Sequence, residues 1–322
     1  MIHSNIIIIG GGPAGSTCAW KLRQQGVECI ILDKQAFPRP KLCAGWITPE
    51  VLSDLQMTAD EYPHSLRHLR QLQVYLGRRT CRIKAHQYAI RRVEFDHWLL
   101  QRSDATVYRH EVKQIRKERD LYVLDDRYTC KFLVGAGGTS CPVYRTLFRP
   151  LYPRAATRLV VTLEQEFPYA YQDDDCHLWF FQHRLPGYAW YVPKEDGYLN
   201  IGIGGFVESL KARQASIRLH WQWFAQELKQ RSLIKDYPFE PRGYAYYTRS
   251  RDEHVQQDNA FLIGDAAGLA TKDLAEGIGP AVRSGLLAAD AIISGQPLSL
   301  TSIRKYSQLH WRTLLKFVFS KG

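Results

Sequence analysis

At 322 residues, 45% hydrophobic and 23% charged, the chain is long enough for two structural lobes and has the composition of an ordinary globular protein. It contains no low-complexity segment and no fixed-period repeat, which sets aside disordered and solenoid classes. The formal charge of +11 comes with no nucleic-acid module, so no nucleic-acid partner is expected; attraction to an anionic membrane surface and a solubility bias that also favours phosphate-bearing ligands remain as alternatives.

The opening "MIHSNIIIIGGGPAGST" has no basic segment before its apolar run, so it predicts a strand rather than a leader peptide. No apolar run approaches the length of a membrane span. Seven cysteines without C-x-x-C pairs fit a reducing compartment, hence a cytoplasmic protein, with a peripheral place at the membrane as the alternative.

The run Ile6–Ile9 suits a parallel strand buried on both faces. Gly10, Gly12 and Gly15 then form G-x-G-x-x-G. The first supplies a tight turn, the second lets a pyrophosphate approach the backbone, and the third lets the following helix pack close. That helix points its free N–H groups at the phosphates. A second strand is expected at Cys29–Leu32, ending in Asp33, whose carboxylate can bind a ribose hydroxyl. Strand, turn, helix, strand and terminal acid in register predict a dinucleotide site, with NAD(P) and FAD both open at this point.

Lys41, Cys43 and Gly45 follow in "KLCAGWITPE". A free cysteine is commonly a buried small hydrophobe, and its reactivity depends on thiolate formation. Farther on, "AIRRVEFDHWLL" predicts a helix bearing Arg92, Phe95, Asp96 and Leu99. His64 and His68 have no evident third ligand, so no metal site is expected.

After "FLVGAGGTSCPVYR" the pattern changes. "TRLVVTLEQEF", "CHLWFFQ", "YAWYVP" and "GYLNIGIGG" predict short strands of an antiparallel sheet, and "SIRLHWQWFAQELKQ" a helix against it. The nucleotide domain is therefore discontinuous, at 1–45, 90–150 and 255–322, with a substrate domain at 46–89 and 151–254.

"NAFLIGDAAGLATKDLAEGIGPAVRSGLLAADAI" brings a second ligand signature. A buried strand at Ala260–Ile263 runs into Gly264 and Asp265, and a Gly/Ala-rich helix is expected over Gly277–Ile293. Its N-terminal N–H groups can face the electron-rich edge of a flavin. NAD(P) needs no such second site, whereas the ribityl chain and ring of FAD do. FAD is therefore the expected cofactor. The basic stretch "SIRKYSQLHWRTLLKFVFSKG" predicts an amphipathic helix with Trp311, Leu314, Leu315, Phe317 and Val318 on its apolar side, docked on the protein's own surface or on a membrane.

On these motifs the chain resembles the glutathione-reductase-type flavoproteins of the aromatic-hydroxylase branch, and within them the geranylgeranyl reductase family. The fold so implied is α/β, a Rossmann FAD-binding domain joined to an antiparallel β-sheet substrate domain. By this resemblance Asp265 binds the ribityl chain and Gly277, Ile278 and Gly279 lie beside the ring. Gly10, Gly12, Pro13, Ala14, Gly15, Asp33 and Lys34 serve the adenosine and pyrophosphate end. Lys41, Cys43, Ala44 and Gly45 match the family's K-x-C-x-G loop over the flavin. Arg92 belongs to an R-x-x-F-D motif near the FAD phosphates, a solvated helix-face arginine being its other reading. Val112, Ala136, Gly137 and Gly264 complete the cofactor set. Gly137 stands where an aspartate is usual, so the resemblance does not imply direct NAD(P)H use; a reduced protein carrier is the alternative donor.

Tyr188, Trp190 and Pro193 match the family's Y-x-W-x-F-P segment, with Val192 in the phenylalanine's place. The resemblance makes this segment a wall of the substrate cavity, against plain core packing. Cys43, Tyr188 and Trp190 are the catalytic candidates, with Tyr188 or an ordered water as proton donor. The activity implied is reduction of a carbon–carbon double bond in a prenyl-type or other hydrophobic small molecule. Monooxygenation of an aromatic substrate, and a non-catalytic flavin-binding or assembly role, are the alternatives. The W-x-W-x-I-P motif of the flavin halogenases is absent.

Overall fold

The computed structural model describes residues 1–250 and 253–307. The C-terminal amphipathic helix expected around Trp311 lies outside the described residues. The chain divides into two compact units. The first is built from Met1–Arg39, Val93–Arg154 and the stretch from Tyr246 onward; the second from Pro40–Arg92 and Ala155–Ala245. The crossings fall near residues 39, 92, 154 and 245, so Lys41, Cys43 and Gly45 belong to the second unit and the chain returns to the first about ten residues before the expected 255.

In the first unit six strands form one sheet, in the order Gln256–Gln257, Ala260–Leu262, Phe132–Gly135, Ile6–Ile9, Ile30–Asp33, Thr106–Arg109. All pairs are parallel except the edge pair Gln256–Gln257 with Ala260–Leu262. Ile6–Ile9 lies in the middle and is buried on both faces, which is what its unbroken β-branched run requires. The second strand starts one residue later than expected and includes Asp33. Helices Pro13–Gln24 and Ile278–Ser294 pack together where Gly285 leaves no room for a side chain: a Cβ there would stand 3.0 Å from the Cys18 backbone nitrogen. A small sheet of Ile2–His3, Tyr128–Cys130, Leu121–Leu124 and Ile115–Glu118 encloses a second core around Tyr122, Tyr128 and Phe148.

The second unit is an eight-stranded sheet in the order Arg242–Tyr247, Leu159–Pro168, Tyr198–Phe206, Gly187–Pro193, Cys176–Phe180, Leu66–Leu76, Arg79–Ile90, Trp46–Ile47. It is not wholly antiparallel as expected. Cys176–Phe180 runs parallel to Leu66–Leu76, because the chain reaches that position through a long excursion rather than a hairpin. Strand alternation gives the sheet two different faces. One carries Leu163, Tyr191, Ile201 and Ile203 against Trp221, Phe224 and Leu228 of helix Ile217–Gln230. That helix begins at Ser216, whose hydroxyl accepts the Arg218 N–H at 3.2 Å. The opposite face presents Thr162, Glu164, Gly202, Gly204, Tyr188 and Trp190.

Candidate functional site

The candidate residues fall into two sets, one in each unit. In the first unit the glycine turn is held from several sides. Gly10 has φ +108°, and a Cβ there would lie 2.5 Å from the Ala136 carbonyl oxygen, so only glycine fits between the two loops. Asp33 is buried; Gly11 N–H donates to its Oδ2 and Gln35 N–H to its Oδ1, both at 2.8 Å. The carboxylate thus fixes the turn, and each oxygen retains lone-pair capacity for a ribose hydroxyl. Helix Pro13–Gln24 starts at Gly12 with proline in its first turn and no side-chain cap, leaving N–H groups for a phosphate. Pro13, Ala14 and Gly15 are buried beneath this end. Lys34 is exposed, Val112 is packed in the core beside Tyr128, and Gly137 is exposed beside Cys141.

Arg39, which the motifs do not single out, lies at this turn. Its Nη2 is 3.6 Å from where a Cβ on Gly12 would stand, and its guanidinium sits 4.5 Å from the Phe37 ring centre. Nη1 is 3.7 Å from the fully buried Asp96 carboxylate, while Nε is buried without a hydrogen-bond partner among the described residues. A mostly buried, incompletely satisfied guanidinium beside a phosphate-binding turn is suited to an anionic ligand.

Near the other signature, the helix Ile278–Ser294 begins at Gly277, again without a side-chain cap. A Cβ at Gly277 would stand 3.4 Å from Asp265 Oδ1, so the carboxylate and the helix end are neighbours. Gly264 adopts φ +58° and its N–H donates to Ser284 Oγ at 3.0 Å. Arg154 was not foreseen either. It bonds the Ala266 carbonyl, donates to the Thr139 carbonyl at 3.3 Å and covers the Tyr144 ring at 3.5 Å. These residues fit a dinucleotide carrying an extended polar tail: a pyrophosphate cradle at one helix end, and a carboxylate beside a second free helix end.

In the second unit the loop Lys41–Gly45 is tied down through its backbone. Asn200 Nδ2 donates to the Cys43 carbonyl at 3.2 Å, and buried Lys194 donates to the carbonyls of Ala44 and Ile90, the latter at 2.8 Å. Burial pulls the Lys194 ammonium below the usual lysine range. Gly45 adopts φ +67° with its α-carbon pressed on the Ile90 carbonyl, a position closed to other residues. Cys43 is half-buried, and the Gly45 N–H points at its sulfur at 3.4 Å. By contrast Cys18, Cys29, Cys130, Cys141 and Cys176 are buried, and burial pushes their thiols up. The Lys41 ammonium lies 3.1 Å from the Tyr244 ring centre.

Trp190 lies flat across the bare backbone of Gly202. A Cβ at Gly202 would run into the indole and stand 2.8 Å from the Glu164 Cβ. Register puts Glu164, Gly202 and Trp190 in one row and Thr162, Gly204 and Tyr188 in the next. Trp190 Nε1 donates to Asn200 Oδ1 at 2.8 Å, and the Tyr188 and Trp190 ring centres are 5.7 Å apart. Tyr188 is half-buried and Trp190 fully buried. Glu164 is only 2% exposed. Burial pushes its carboxyl up to about 8, against the pull of Lys41, Arg92 and Lys194 and with a further push from Glu166. Arg92 is thus one of the charges acting on Glu164, within the second unit.

Elsewhere His68 bonds His86 at 2.9 Å and stacks on Tyr88. Among the described residues no group of three or more His, Cys, Asp or Glu could hold a metal ion, and no helix is long and apolar enough to cross a membrane.

Residues 8–67 match the model of the NAD(P)-binding Rossmann-like domain. Among curated proteins, the chain is similar to a menaquinone reductase of Mycolicibacterium smegmatis, 25% identical over 99% of this chain and 82% of that one. It is also similar to digeranylgeranylglycerophospholipid reductase 3 of Methanosphaera stadtmanae, 24% identical over 94% and 81% respectively. Among solved structures, a geranylgeranyl bacteriochlorophyll reductase-like protein of Thermoplasma acidophilum shares the fold, with TM-score 0.78 and 20% identity over 99% of this chain and 84% of that one.

Proposed function

We propose that this chain, similar to a digeranylgeranylglycerophospholipid reductase and sharing its fold with a geranylgeranyl bacteriochlorophyll reductase-like protein, binds FAD and reduces a carbon–carbon double bond of a prenyl lipid or prenylated quinone. The observation that carries the substrate class is the row in which Trp190 lies on Gly202 with Tyr188 beside it. Gly202 and Gly204, on adjacent rows, leave room that the Trp190 indole fills, with Thr162 against Gly204. Such a surface favours a long apolar molecule over a charged one.

FAD would be held by the turn Gly10–Gly15 with Arg39 at its pyrophosphate, by Asp33 at a ribose hydroxyl, and by Asp265 with the Gly277–Gly279 helix end toward the ribityl chain and ring. When bound and reduced, it supplies a hydride equivalent. The chain's own part is to orient the double bond, exclude water and place a proton. Within the second unit, Lys194 and Asn200 bond the Cys43 loop through its backbone carbonyls. The reductant is NAD(P)H or a reduced protein carrier.

The test is anaerobic mixing of the photoreduced, flavin-loaded protein with a panel of prenyl alcohols, prenyl phospholipids and menaquinones. Flavin reoxidation with formation of a product heavier by two hydrogens is expected. Reoxidation by none of them, with product forming only after oxygen is admitted, would replace this reading by an oxygen-dependent one.

A further inference from the structure

We propose that one end of the second unit's sheet is a docking surface for a bilayer containing anionic phospholipid, with the Phe181 ring at the headgroup boundary and the surrounding cations on lipid phosphates. Docking of this kind is independent of which substrate the protein reduces.

Strand register brings the surface together within the second unit. Phe180 pairs with Leu76 on one side and with Tyr188 on the other, and Gly187 pairs with Gly205. The turn at 77–78, the loop 181–186 and the segment after Phe206 therefore emerge at the same end of the sheet. Three contacts join them. Gln182 Nε2 donates to the Gly77 carbonyl at 2.8 Å, Arg213 Nη1 donates to the Arg184 carbonyl, and the His183 and Trp223 ring centres stand 4.6 Å apart. Leu219 lies one turn before Trp223 on the same side of helix Ile217–Gln230.

Two features of this end point to lipid. The first is apolar surface left in water: Phe181 is 48% exposed and Leu219 62%. Phe181, His183 and Arg184 all adopt left-handed backbone, at φ +55°, +48° and +63°, a region that bulky side chains enter at a cost. The loop thus keeps an aromatic ring exposed against its own local preference. The second feature is charge. Arg78, Arg79, Arg184, Lys211, Arg213 and Arg218 are exposed, and Glu208 is the one acid in the segments 77–79, 181–184 and 207–219 that carry them. His220 is buried beside them; burial, and then the charges of His183 and Arg213, disfavour its imidazolium. An exposed ring among cations matches a bilayer interface, where aromatic side chains settle at headgroup level and lysines and arginines meet anionic lipid. A second copy of this end carries the same charge and is repelled by it.

Co-sedimentation of the full-length protein with phosphatidylcholine vesicles, prepared with and without phosphatidylglycerol, tests the surface. Binding is expected only with phosphatidylglycerol and should weaken as salt rises. Combining Arg78→Gln, Arg79→Gln and Arg184→Gln should lower the partition coefficient by about fivefold per charge removed. Phe181→Asn should lower it by about tenfold. The same variant should resist urea as well as wild type or better, because asparagine tolerates a left-handed backbone. Phe181→Trp should keep wild-type binding. Equal binding to the two kinds of vesicle, binding to neither, or wild-type binding in both the arginine and the Phe181→Asn variants overturns the proposal. Sedimentation velocity without lipid covers the protein–protein case: self-association that Phe181→Asn abolishes would assign the face to a second copy and overturn the bilayer. The variants should reduce detergent-dispersed substrate at the wild-type rate. Failure to bind vesicles therefore leaves the reductase reading standing, and a protein that binds vesicles but reduces no prenyl compound loses that reading alone.

Discussion

The indole N–H of Trp190 donates to Asn200 Oδ1 at 2.8 Å, and the same amide donates to the Cys43 carbonyl at 3.2 Å. One buried side chain therefore bonds both the Trp190 indole and the Cys43 loop. Replacing it by leucine would strand a buried indole donor and loosen the Cys43 carbonyl, at about 1–3 kcal/mol for a stranded group. Asn200→Asp keeps an acceptor for Trp190, loses the bond to Cys43 and sets a carboxylate oxygen against the Cys43 carbonyl. In a Cys81→Ser background, Cys43 should then alkylate faster than in the parent, while Trp190 fluorescence stays nearly unchanged. Equal alkylation rates would show that Asn200 does not hold the loop.

Gly202 and Trp190 yield a second expectation. A methyl group at Gly202 collides with the indole and crowds the Glu164 Cβ. Overpacking of this kind costs about 1–3 kcal/mol. Gly202→Ala should destabilise the wild type in urea and red-shift its tryptophan emission as the ring is displaced. The same substitution in a Trp190→Leu background should cost distinctly less, because the atoms it strikes are gone. A double-mutant cycle measures that coupling.

The elements most legible in the sequence are those whose signal is local. The run Ile6–Ile9 predicts its strand to the residue and the glycine turn that a helix follows, and the β-branched and aromatic runs predict their strands, because burial pattern and turn chemistry act over a few residues. The parallel strand pair was not legible, since chain direction across an excursion of many residues leaves no local mark. Arg39 was missed for the same reason: it matters through Asp96 and Gly12, both distant in sequence. Glu164 was hidden by its own strand. "VTLEQEF" alternates like a strand with one solvated face, and on that face a glutamate is unremarkable; only the folded sheet shows that the face is covered there and the carboxyl enclosed.

Glu164 also makes stability depend on pH. Its ordinary value is 4.5 and its folded value about 8. Between these limits the folded chain keeps a proton that the unfolded chain has lost, so stability falls as pH rises through this window, by up to about 1.4 kcal/mol per pH unit from this group. Below the lower limit both states are protonated and the contribution is flat. Glu164→Gln preserves the shape of the neutral form and removes the titration. Urea unfolding at pH 5 and pH 8 should therefore show the variant gaining on wild type at the higher pH. A constant difference between the two proteins would mean that Glu164 ionises normally in the folded state.

Arg39 sets the last expectation. Its guanidinium is held over Phe37 and beside Asp96 with Nε unsatisfied, next to a helix end whose N–H groups are uncapped. A diphosphate there gains charge-assisted hydrogen bonds worth about 1.5–3 kcal/mol, which corresponds to roughly 10- to 100-fold in Kd. Arg39→Ala should lose flavin by that factor in equilibrium titration and purify with less colour. Arg39→Lys should fall between, because an ammonium keeps the charge without the planar fork. The loss should shrink as salt rises, since the missing attraction is electrostatic and partly screened. FMN, which has no pyrophosphate, should bind wild type and Arg39→Ala with closer affinities than FAD does. Unchanged FAD affinity in Arg39→Ala would remove the guanidinium from the cofactor site and leave it as a partner of Asp96 alone.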